Sequence, residues 1–354
     1  MPMQIETVLG DAPLAALPAL ARHAEALGFD GIAQPELRHD PFVALALAAP
    51  ATTRVQLATS VAIAFPRSPM VVAYQARDLQ DLSGGRFVLG LGTQVKGHIE
   101  RRFSTVWDAP GPRLREYAQA LRAIWRTWQT GEPLDFQGRY YAFTLMTPEF
   151  SPGPSAYPPI PIEIAAVNPY NARLAGELCD GLRVHPMTTP AYLRDVLWPA
   201  VRQGAARAGR DLRTFRMVGG GFIATGADEA AVQAAREEAR YRIAFYASTR
   251  TYLPVLEHHG WADLNPRLRR LIAEQRWDAL ASVIPDDVLD AFCVSGTYDT
   301  IATRVRERLE GLVDVVMVAL PPDPARPDDR YLAALAALKA IAPAASRHGA
   351  GGSS

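Results

Sequence analysis

Two short segments separated by one helix constrain the fold of this chain more than any other feature. Residues 57–63 and 87–92 are each a run of apolar residues with small residues at its end, which is typical of a buried strand. Residues 70–82 between them carry apolar side chains at helical spacing and are followed by Gly84-Gly85, which ends a helix. The pattern predicts a strand–helix–strand unit whose strand ends leave room for a flat group against the backbone. It recurs along the chain and therefore predicts a cofactor-binding barrel.

Strands and helices alternate through most of the 354 residues. Eight strands, each followed by a helix, predict a TIM (β/α)8 barrel, and the absence of GxGxxG after the first strand argues against a dinucleotide-binding sheet. We expect one barrel domain over residues 1–345, with a helical, aromatic insertion at about 241–294 over its C-terminal face and a disordered tail over 346–354. The expected strands are residues 4–9, 31–35, 55–65, 87–92, 162–167, 181–184, 215–225 and 313–320.

Composition excludes several classes of partner. Lysines plus arginines equal aspartates plus glutamates, at 37 each, so no excess charge indicates nucleic acid or an anionic membrane as a partner. No apolar run approaches the ~20 residues that span a bilayer, and no signal peptide precedes the first strand. The two cysteines lack a CxxC or His-rich context, which favours buried, reduced thiols. We expect a cytoplasmic protein.

The residues that follow the expected strands are small or polar and lack the sets that other chemistries need. Paired carboxylates for glycoside hydrolysis are missing, the one histidine has no metal-binding companions, and neither GxSxG nor a Walker loop occurs. Small residues, amides and hydroxyls suit a planar heterocycle, so a cofactor would carry the chemistry. The positions are Gly10, Glu36, Ser60, Val61, Gly92, Thr93, Asn168, His185 and Gly226.

Several short motifs, together spanning nearly the whole chain, carry a family resemblance. The chain resembles the luciferase-like monooxygenase superfamily, and within it the oxidoreductases that depend on the deazaflavin coenzyme F420. The motifs are Gly28-Phe29-Asp30-Gly31, Thr59-Ser60-Val61, Asp81-Leu82-Ser83-Gly84-Gly85-Arg86, Gly90-Leu91-Gly92-Thr93, Asn168-Pro169, Cys179-Asp180-Gly181 and Ser295-Gly296-Thr297.

The resemblance implies a TIM barrel with insertions, a small-molecule substrate and a homodimer. It also implies a non-prolyl cis peptide at Ser60-Val61, which forms a bulge behind the central ring of the cofactor. The loop from Gly92 to His98 and the turn from Ala166 to Asn171 would hold the ring edge and the phosphate end, with Asn171 capping its helix. The implied cofactor-binding residues are Glu36, Ser60, Val61, Gly92, Thr93, Gly97, His98, Ala166, Asn168 and Asn171.

Two cofactors fit the resemblance, and they imply different reactions. The Thr-Ser-Val and Gly-Leu-Gly-Thr motifs favour coenzyme F420 and hydride transfer to or from an unidentified small organic substrate. The alternative is an FMN-dependent monooxygenase that uses reduced flavin and oxygen; a barrel that only binds its cofactor is a third hypothesis. Sugar-phosphate dehydrogenases of this branch have Asp-His after strand 2 and a glutamate after strand 4. This chain has Glu36-Leu37 after strand 2 and Gln94-Val95 after strand 4, which argues against a sugar-phosphate substrate.

Five residues are candidates for contact with the substrate or its proton. His185 ends a strand, and it either exchanges the proton that accompanies hydride transfer or only bonds the backbone. Glu36 is either an acid/base or cofactor-contacting group or a solvated charge. Tyr252, His258 and His259 of the insertion either line a substrate pocket or serve packing or a dimer contact. No metal ligands are expected.

Overall fold

The computed structural model describes residues 2–344, and the tail predicted over 346–354 lies outside them. The strands of the described part are β1 Gln4–Thr7, β2 Gly31–Gln34, β3 Gln56–Thr59, β4 Ala62–Ile63, β5 Phe87–Gly92, β6 Phe136–Gln137, β7 Ala142–Phe143, β8 Ile162–Ala166, β9 Gly181–Val184, β10 Arg216–Val218, β11 Phe222–Gly226, β12 Cys293–Thr297 and β13 Val315–Met317.

The helices of the same residues alternate with the strands through most of the chain. They are α1 Leu17–Ala26, α2 Pro41–Ala48, α3 Pro69–Leu82, α4 Lys96–Arg101, α5 Pro110–Thr130, α6 Pro169–Leu178, α7 Pro190–Tyr192, α8 Trp198–Ala208, α9 Glu229–Ala247, α10 Leu253–His258, α11 Leu264–Ala273, α12 Asp286–Phe292, α13 Ile301–Leu309 and α14 Asp329–Lys339. A π-helical turn, Leu193–Leu197, joins α7 to α8.

The fold is the predicted TIM barrel. Within residues 2–344, eight parallel strands form a closed barrel, and helices surround it. The barrel strands are β1, β2, β3, β5, β8, β9, β10 and β13, and the pairing of β3 with β5 is one of its ladders. Every residue of β2, β5 and β9 is buried, as expected for parallel strands that are covered on both faces. Within the described residues, no helix is long and apolar enough to cross a membrane.

The prediction of one continuous seventh strand over residues 215–225 is wrong, because Gly219, Gly220 and Gly221 divide it into two strands. Their φ values are 114°, 137° and 101°, a region that favours glycine. A Cβ on Gly219 would lie 2.7 Å from the carbonyl oxygen of Val184, and one on Gly221 would lie 2.5 Å from that of Phe292. The chain therefore leaves the barrel after β10, and β11 pairs with β12 in a separate two-stranded parallel sheet.

The chain divides into two compact units. The N-terminal unit is Val8–Ala165 with Glu177–Gly181. In it β2 pairs with β3, β3 with β5, and β5 with β8, all in parallel. Helix α3 begins at a Ser68 cap followed by Pro69 and ends before Gly84, whose φ is 67°. The short strands β6 and β7 pair antiparallel.

The C-terminal unit comprises residues 2–7, 166–176 and 182–344 of the described chain. In it β1 and β10 both pair with β13. Helices fill most of residues 229–292, and Cys293 begins β12. Both cysteines are buried, and no disulfide joins them.

A buried ion cluster joins three barrel strands of the C-terminal unit. The carboxylate of Glu6, with its side chain 1% exposed, accepts from both terminal nitrogens of Arg183 at 2.8 and 3.2 Å and from Arg216 at 3.2 Å. Burial alone raises the pKa of Glu6, but the two arginines outweigh burial and hold that pKa below its ordinary value. The charge of Glu6 is therefore compensated, and its loss would leave buried guanidinium charge behind.

We predict that Glu6→Gln lowers the free energy of unfolding by about 3–5 kcal/mol, because it breaks a buried ion pair from one side. The measurement is urea denaturation followed by circular dichroism. Since the folded-state pKa is depressed, the stabilisation is complete above the ordinary carboxyl pKa and is lost as pH falls through the depressed value. The deficit of the variant should therefore shrink in acid.

Asp263→Asn is the matched control, because the exposed pair of Asp263 with Arg267 spans 3.4 Å in the same unit. It should change the unfolding free energy by less than about 1 kcal/mol. Equal effects of the two substitutions would contradict the role given to the buried cluster.

Candidate functional site

A bulge separates β3 from β4 in the N-terminal unit. The peptide bond between Ser60 and Val61 is cis, as the resemblance implied. The backbone N–H of Ser60 donates to the carbonyl oxygen of Gln34 at 2.8 Å, which ties the bulge to the end of β2. A Cβ on Gly92, at the end of β5, would lie only 2.5 Å from Cγ2 of Val61. Position 92 therefore accepts glycine alone while Val61 keeps its place.

Glu36 holds the chain just after the bulge. Its Oε2 accepts from the backbone N–H of Ile63 and from the guanidinium of Arg67, each at 2.8 Å, and its side chain is only 10% exposed. Arg67 also donates to Asp40 at 2.7 Å, and Asp40 caps α2. Burial lowers the pKa of Arg67, but its bonds to the two carboxylates outweigh burial and raise it. Glu36 is thus a half-buried anchor of the chain after the bulge, which excludes the alternative of a solvated charge and leaves its predicted acid/base or cofactor-contacting role untested.

The loop after β5 carries three residues of the implied cofactor set. Thr93 is half-buried and donates to the carbonyl oxygen of Gln94 at 3.0 Å, where the backbone adopts a φ of 57°. The segment predicted as a loop contains the short helix α4, which includes Gly97 and His98. Partial desolvation and the positive charges of Arg101 and Arg102 lower the pKa of His98, although most of this residue is exposed to solvent.

The turn after β8 ends in a capped helix of the C-terminal unit. Oδ1 of Asn168 accepts from the backbone N–H of Asn171 at 3.0 Å, so Asn168 caps α6. The expectation that Asn171 is the cap is wrong, because Asn171 lies inside the first turn and is buried. Ala166, the last residue of β8, is also buried.

His185 follows β9 of the same unit, and its tautomer is fixed by the backbone. The N–H of Met187 donates to Nδ1 of His185 at 3.0 Å. The proton of the neutral ring therefore lies on Nε2. Burial lowers the pKa of His185 to about 3, so the ring is uncharged at neutral pH. The predicted backbone contact is present, and it leaves Nε2–H as a hydrogen-bond donor.

Two tyrosine rings pack against His185. The ring centroid of Tyr246, in α9, lies 4.4 Å from that of His185, and the centroid of Tyr252 lies 4.7 Å away. The two tyrosine rings contact each other at 5.5 Å. Burial raises the pKa of both phenols, which are therefore neutral. Tyr252 was among the predicted pocket residues. Tyr246 also lies in the insertion predicted at about 241–294, but it was not singled out, because its sequence context does not distinguish it from the other aromatic residues there.

His258 and His259 lie in a different contact set, around α7 and the π-helical turn. Nε2 of His259 lies 2.7 Å from Oγ1 of Thr189, and its ring stacks on Trp261 at 4.5 Å. Nε2 of His258 lies 3.5 Å from Asp195. Burial and the neighbouring His258 lower the pKa of His259. These contacts attach α10 to the turn before α8, which is the packing role weighed for both histidines.

The described residues 2–344 contain no group of three His, Cys, Asp or Glu side chains that could hold a metal ion. They do contain a buried amide at the end of β2 that sequence reasoning missed. Nε2 of Gln34 donates to the carbonyl oxygen of Gly10 at 3.2 Å, and Oε1 has no hydrogen-bond partner within that part of the chain. Only the position of Gln34 at a strand end could have indicated it.

Comparisons with known proteins give a consistent set of relatives. A family model described as luciferase-like monooxygenase matches residues 2–314. An uncharacterized protein of Mycobacterium tuberculosis is 48% identical over 304 residues, which are 84% of this chain and 89% of that protein. A second protein of that species, named as a putative coenzyme F420-dependent oxidoreductase, is 30% identical over 302 residues, which are 81% of this chain and 85% of its own length.

Solved structures share the fold. A coenzyme F420-dependent tetrahydromethanopterin reductase from Methanopyrus kandleri superposes with a TM-score of 0.76 at 21% identity, over 97% of this chain and 99% of its own. The oxygenating constituent of a Baeyer–Villiger monooxygenase from Pseudomonas putida, in complex with FMN, superposes with a TM-score of 0.65 at 15% identity. The match covers 97% of this chain and 99% of that chain.

We predict that His185 stays neutral, with its proton on Nε2, throughout pH 5–8. Nitrogen-15 spectra of the imidazoles should contain one Nε2–H tautomer signal that does not move in this range and that disappears in His185→Gln. In the urea-unfolded protein the same ring should titrate near the ordinary histidine value of about 6.5. A native His185 signal that titrates between pH 5 and 8 would contradict the assignment.

Proposed function

The chain belongs to the luciferase-like monooxygenase family, whose model matches residues 2–314, and on this basis we propose that it is an oxidoreductase that works with coenzyme F420. The relative named as a putative F420-dependent oxidoreductase and the fold shared with the F420-dependent reductase support the choice of coenzyme. The substrate is a small organic molecule, and the enzyme is a homodimer in this proposal.

One feature of the N-terminal unit carries the proposal. Ser60, Val61 and Gly92 form an uncharged surface at the strand ends, which we call the coenzyme bed. In it the side chain of Val61 lies close to the backbone of Gly92. The buried Oε1 of Gln34, without a partner among residues 2–344, is an acceptor for a ring N–H. A planar, uncharged ring system with amide-like edges fits such a surface, whereas a free anion does not.

The residues of this chain bind and orient the coenzyme. When bound, the deazaflavin supplies a ring carbon that accepts or donates a hydride. Ser60, Val61, Gly92 and Thr93 would hold the ring, and Gly97 and His98 of the same unit would take its remaining parts. The first turn of α6, capped by Asn168, gives a helix N-terminus suited to a phosphate.

Glu36 and His185 take separate roles. Glu36 positions the bulge, since its Oε2 already accepts from Ile63 and Arg67. His185 donates a hydrogen bond from Nε2 to the oxygen or nitrogen of the substrate that gains electrons. A neutral imidazole acts there as a fixed donor, and the proton itself comes from water.

Fluorescence titration of the purified protein with coenzyme F420 and, in parallel, FMN tests the proposal. We expect F420 to bind at least about tenfold more tightly than FMN, a difference of about 1.4 kcal/mol. Preference for FMN would favour the monooxygenase alternative, which the FMN-containing neighbour of the same fold represents. Binding of neither coenzyme would contradict both.

A second prediction concerns the contact between Val61 and Gly92. Gly92→Ala places a methyl group 2.5 Å from Cγ2 of Val61, so the bulge must shift and F420 affinity should fall by about tenfold or more. The double variant Val61→Ala/Gly92→Ala removes the colliding atom and should regain much of the lost affinity. The Kd from the same fluorescence titration is the readout.

Gly131→Ala is the control for a glycine substitution. Gly131 follows α5, and nothing lies within 4 Å of a Cβ built there, although its φ of 76° imposes a stability cost. It should leave F420 affinity unchanged. Equal affinity of Gly92→Ala and the wild type would contradict the placement of the ring at this bed.

A further inference from the structure

One segment of the N-terminal unit, residues 104–109, lies between α4 and α5, and we call it the strap. It contains no helix or strand, and none of its residues is buried. Val106, near its middle, is apolar and yet 69% exposed. The backbone N–H of Thr105 donates to the carbonyl oxygen of Ile99 at 3.1 Å, beside the first end of the strap. A segment with so little buried surface can open without unfolding the barrel strands.

Both ends of the strap have a backbone conformation that is unfavourable for residues with a Cβ. Ser104 has a φ of 50°, and Ala109 has a φ of 36° with a ψ of 62°. In this left-handed region the Cβ crowds the following carbonyl oxygen, which glycine avoids. Within residues 2–344, four non-glycine residues have a positive φ, and two of them bound this one segment. Such strain persists where surrounding contacts hold it, so the strap needs fastening elsewhere.

One ring contact and one hydrogen bond fasten the middle of the strap. The indole of Trp107 meets the ring of Phe65 edge to face, with centroids 6.1 Å apart and an interplanar angle of 67°. Nη1 of Arg113, in α5, donates to the carbonyl oxygen of Val106 at 2.8 Å. Both contacts are favourable and both are lost when the strap moves away.

Arg113 is held in place and acts as a latch for the strap. Its guanidinium carbon lies 4.6 Å from the ring centroid of Phe65 and 5.6 Å from that of Tyr141. Its Nε donates to the hydroxyl of Tyr141 at 2.9 Å. These cation–π contacts and the hydrogen bond orient the planar guanidinium, so that Nη1 can reach Val106. The Phe65 ring therefore supports both Trp107 and the latch.

Phe65 connects the strap to the coenzyme bed of the same unit. It directly follows Ala64, whose backbone N–H donates to the carbonyl oxygen of Gly92 at 2.9 Å. Its side chain is only 3% exposed, with Trp107 and Arg113 against it. Movement of the strap away from Phe65 uncovers this ring where the chain leaves the bed.

We propose that the strap is a hinged lid that pivots at Ser104 and Ala109. In the closed form, which the structure shows, Trp107 lies on Phe65. In the open form the indole is in solvent, and a small molecule can reach the coenzyme bed past the strap. Strain at the pivots favours opening and the contacts of Trp107 and Arg113 favour closure, so both forms are accessible. The inference goes beyond the proposed function, because the lid belongs to the ligand-free protein.

Fluorine-19 NMR of the full-length protein labelled with 5-fluorotryptophan tests the lid without any ligand. The chain has six tryptophans, and the signal of Trp107 is the one that disappears in Trp107→Phe. The difference in its chemical shift between H2O and D2O reports how far solvent reaches the ring. In the wild type we expect relaxation dispersion from exchange between a shielded major form and a solvent-exposed minor form.

Substitutions at the latch and at the pivots should shift the two populations in opposite directions. Arg113→Met removes the hydrogen bond to Val106 and should raise the open fraction about tenfold, as for one lost hydrogen bond from a charged donor. Ser104→Gly and Ala109→Gly each relieve the strain at one pivot. Each should lower the open fraction by about threefold, since the greater freedom of glycine in the open chain offsets part of the gain.

Two matched controls lie outside the strap. Gln275→Gly relieves the same kind of strain in the C-terminal unit, because Gln275 has a φ of 58°. Arg139→Met removes an exposed arginine whose guanidinium carbon lies 5.3 Å from the ring centroid of Tyr140. Both variants should leave the Trp107 signal and its exchange unchanged.

The outcomes decide the proposal in either direction. An open fraction that rises in Arg113→Met and falls in both pivot variants supports the lid. A single, unexchanging Trp107 form in the wild type and in Arg113→Met overturns it, and so does an equal response to Gln275→Gly or Arg139→Met. Circular dichroism shows whether each variant is folded, and if Arg113→Met does not fold, the wild type and the pivot variants decide. Coenzyme binding plays no part in these measurements, so their failure leaves the proposed function standing.

Discussion

The contact of Glu36 with the chain after the bulge is the interaction on which the candidate coenzyme bed depends. One carboxylate oxygen takes both the N–H of Ile63 and the guanidinium of Arg67, and Arg67 in turn reaches the cap of α2. A charge-assisted pair that is mostly shielded from water holds its geometry better than an exposed one. Val61 is therefore kept where only a glycine at position 92 can face it.

Much of the fold is readable from the sequence, because hydrophobic periodicity reports the strands and helices directly. Strands β5 and β9 and helix α3 begin and end where the pattern predicts. The strand over 215–225 was misread, although three successive glycines are themselves a signal of a break. The close approach of Gly219 to a carbonyl of a distant residue is a tertiary contact, and no local pattern contains it.

The candidate site is less predictable than the fold, since the role of a side chain depends on its partners. His185 and Glu36 were both singled out as candidates by their positions at strand ends. Their roles follow from contacts that the sequence does not reveal: Met187 fixes the tautomer of His185, and Arg67 occupies Glu36. Tyr246 was not singled out, because it lies in a helix whose packing over His185 is a property of the fold.

The central claim is that the bed formed by Ser60, Val61 and Gly92 holds the ring of coenzyme F420. A crystal structure of the protein grown with oxidised coenzyme F420 tests it most directly. The account predicts ring density against the Ser60–Val61 bulge, with Oε1 of Gln34 within hydrogen-bond distance of a ring N–H. Ring density elsewhere on the protein, with the bulge facing only solvent, would contradict it.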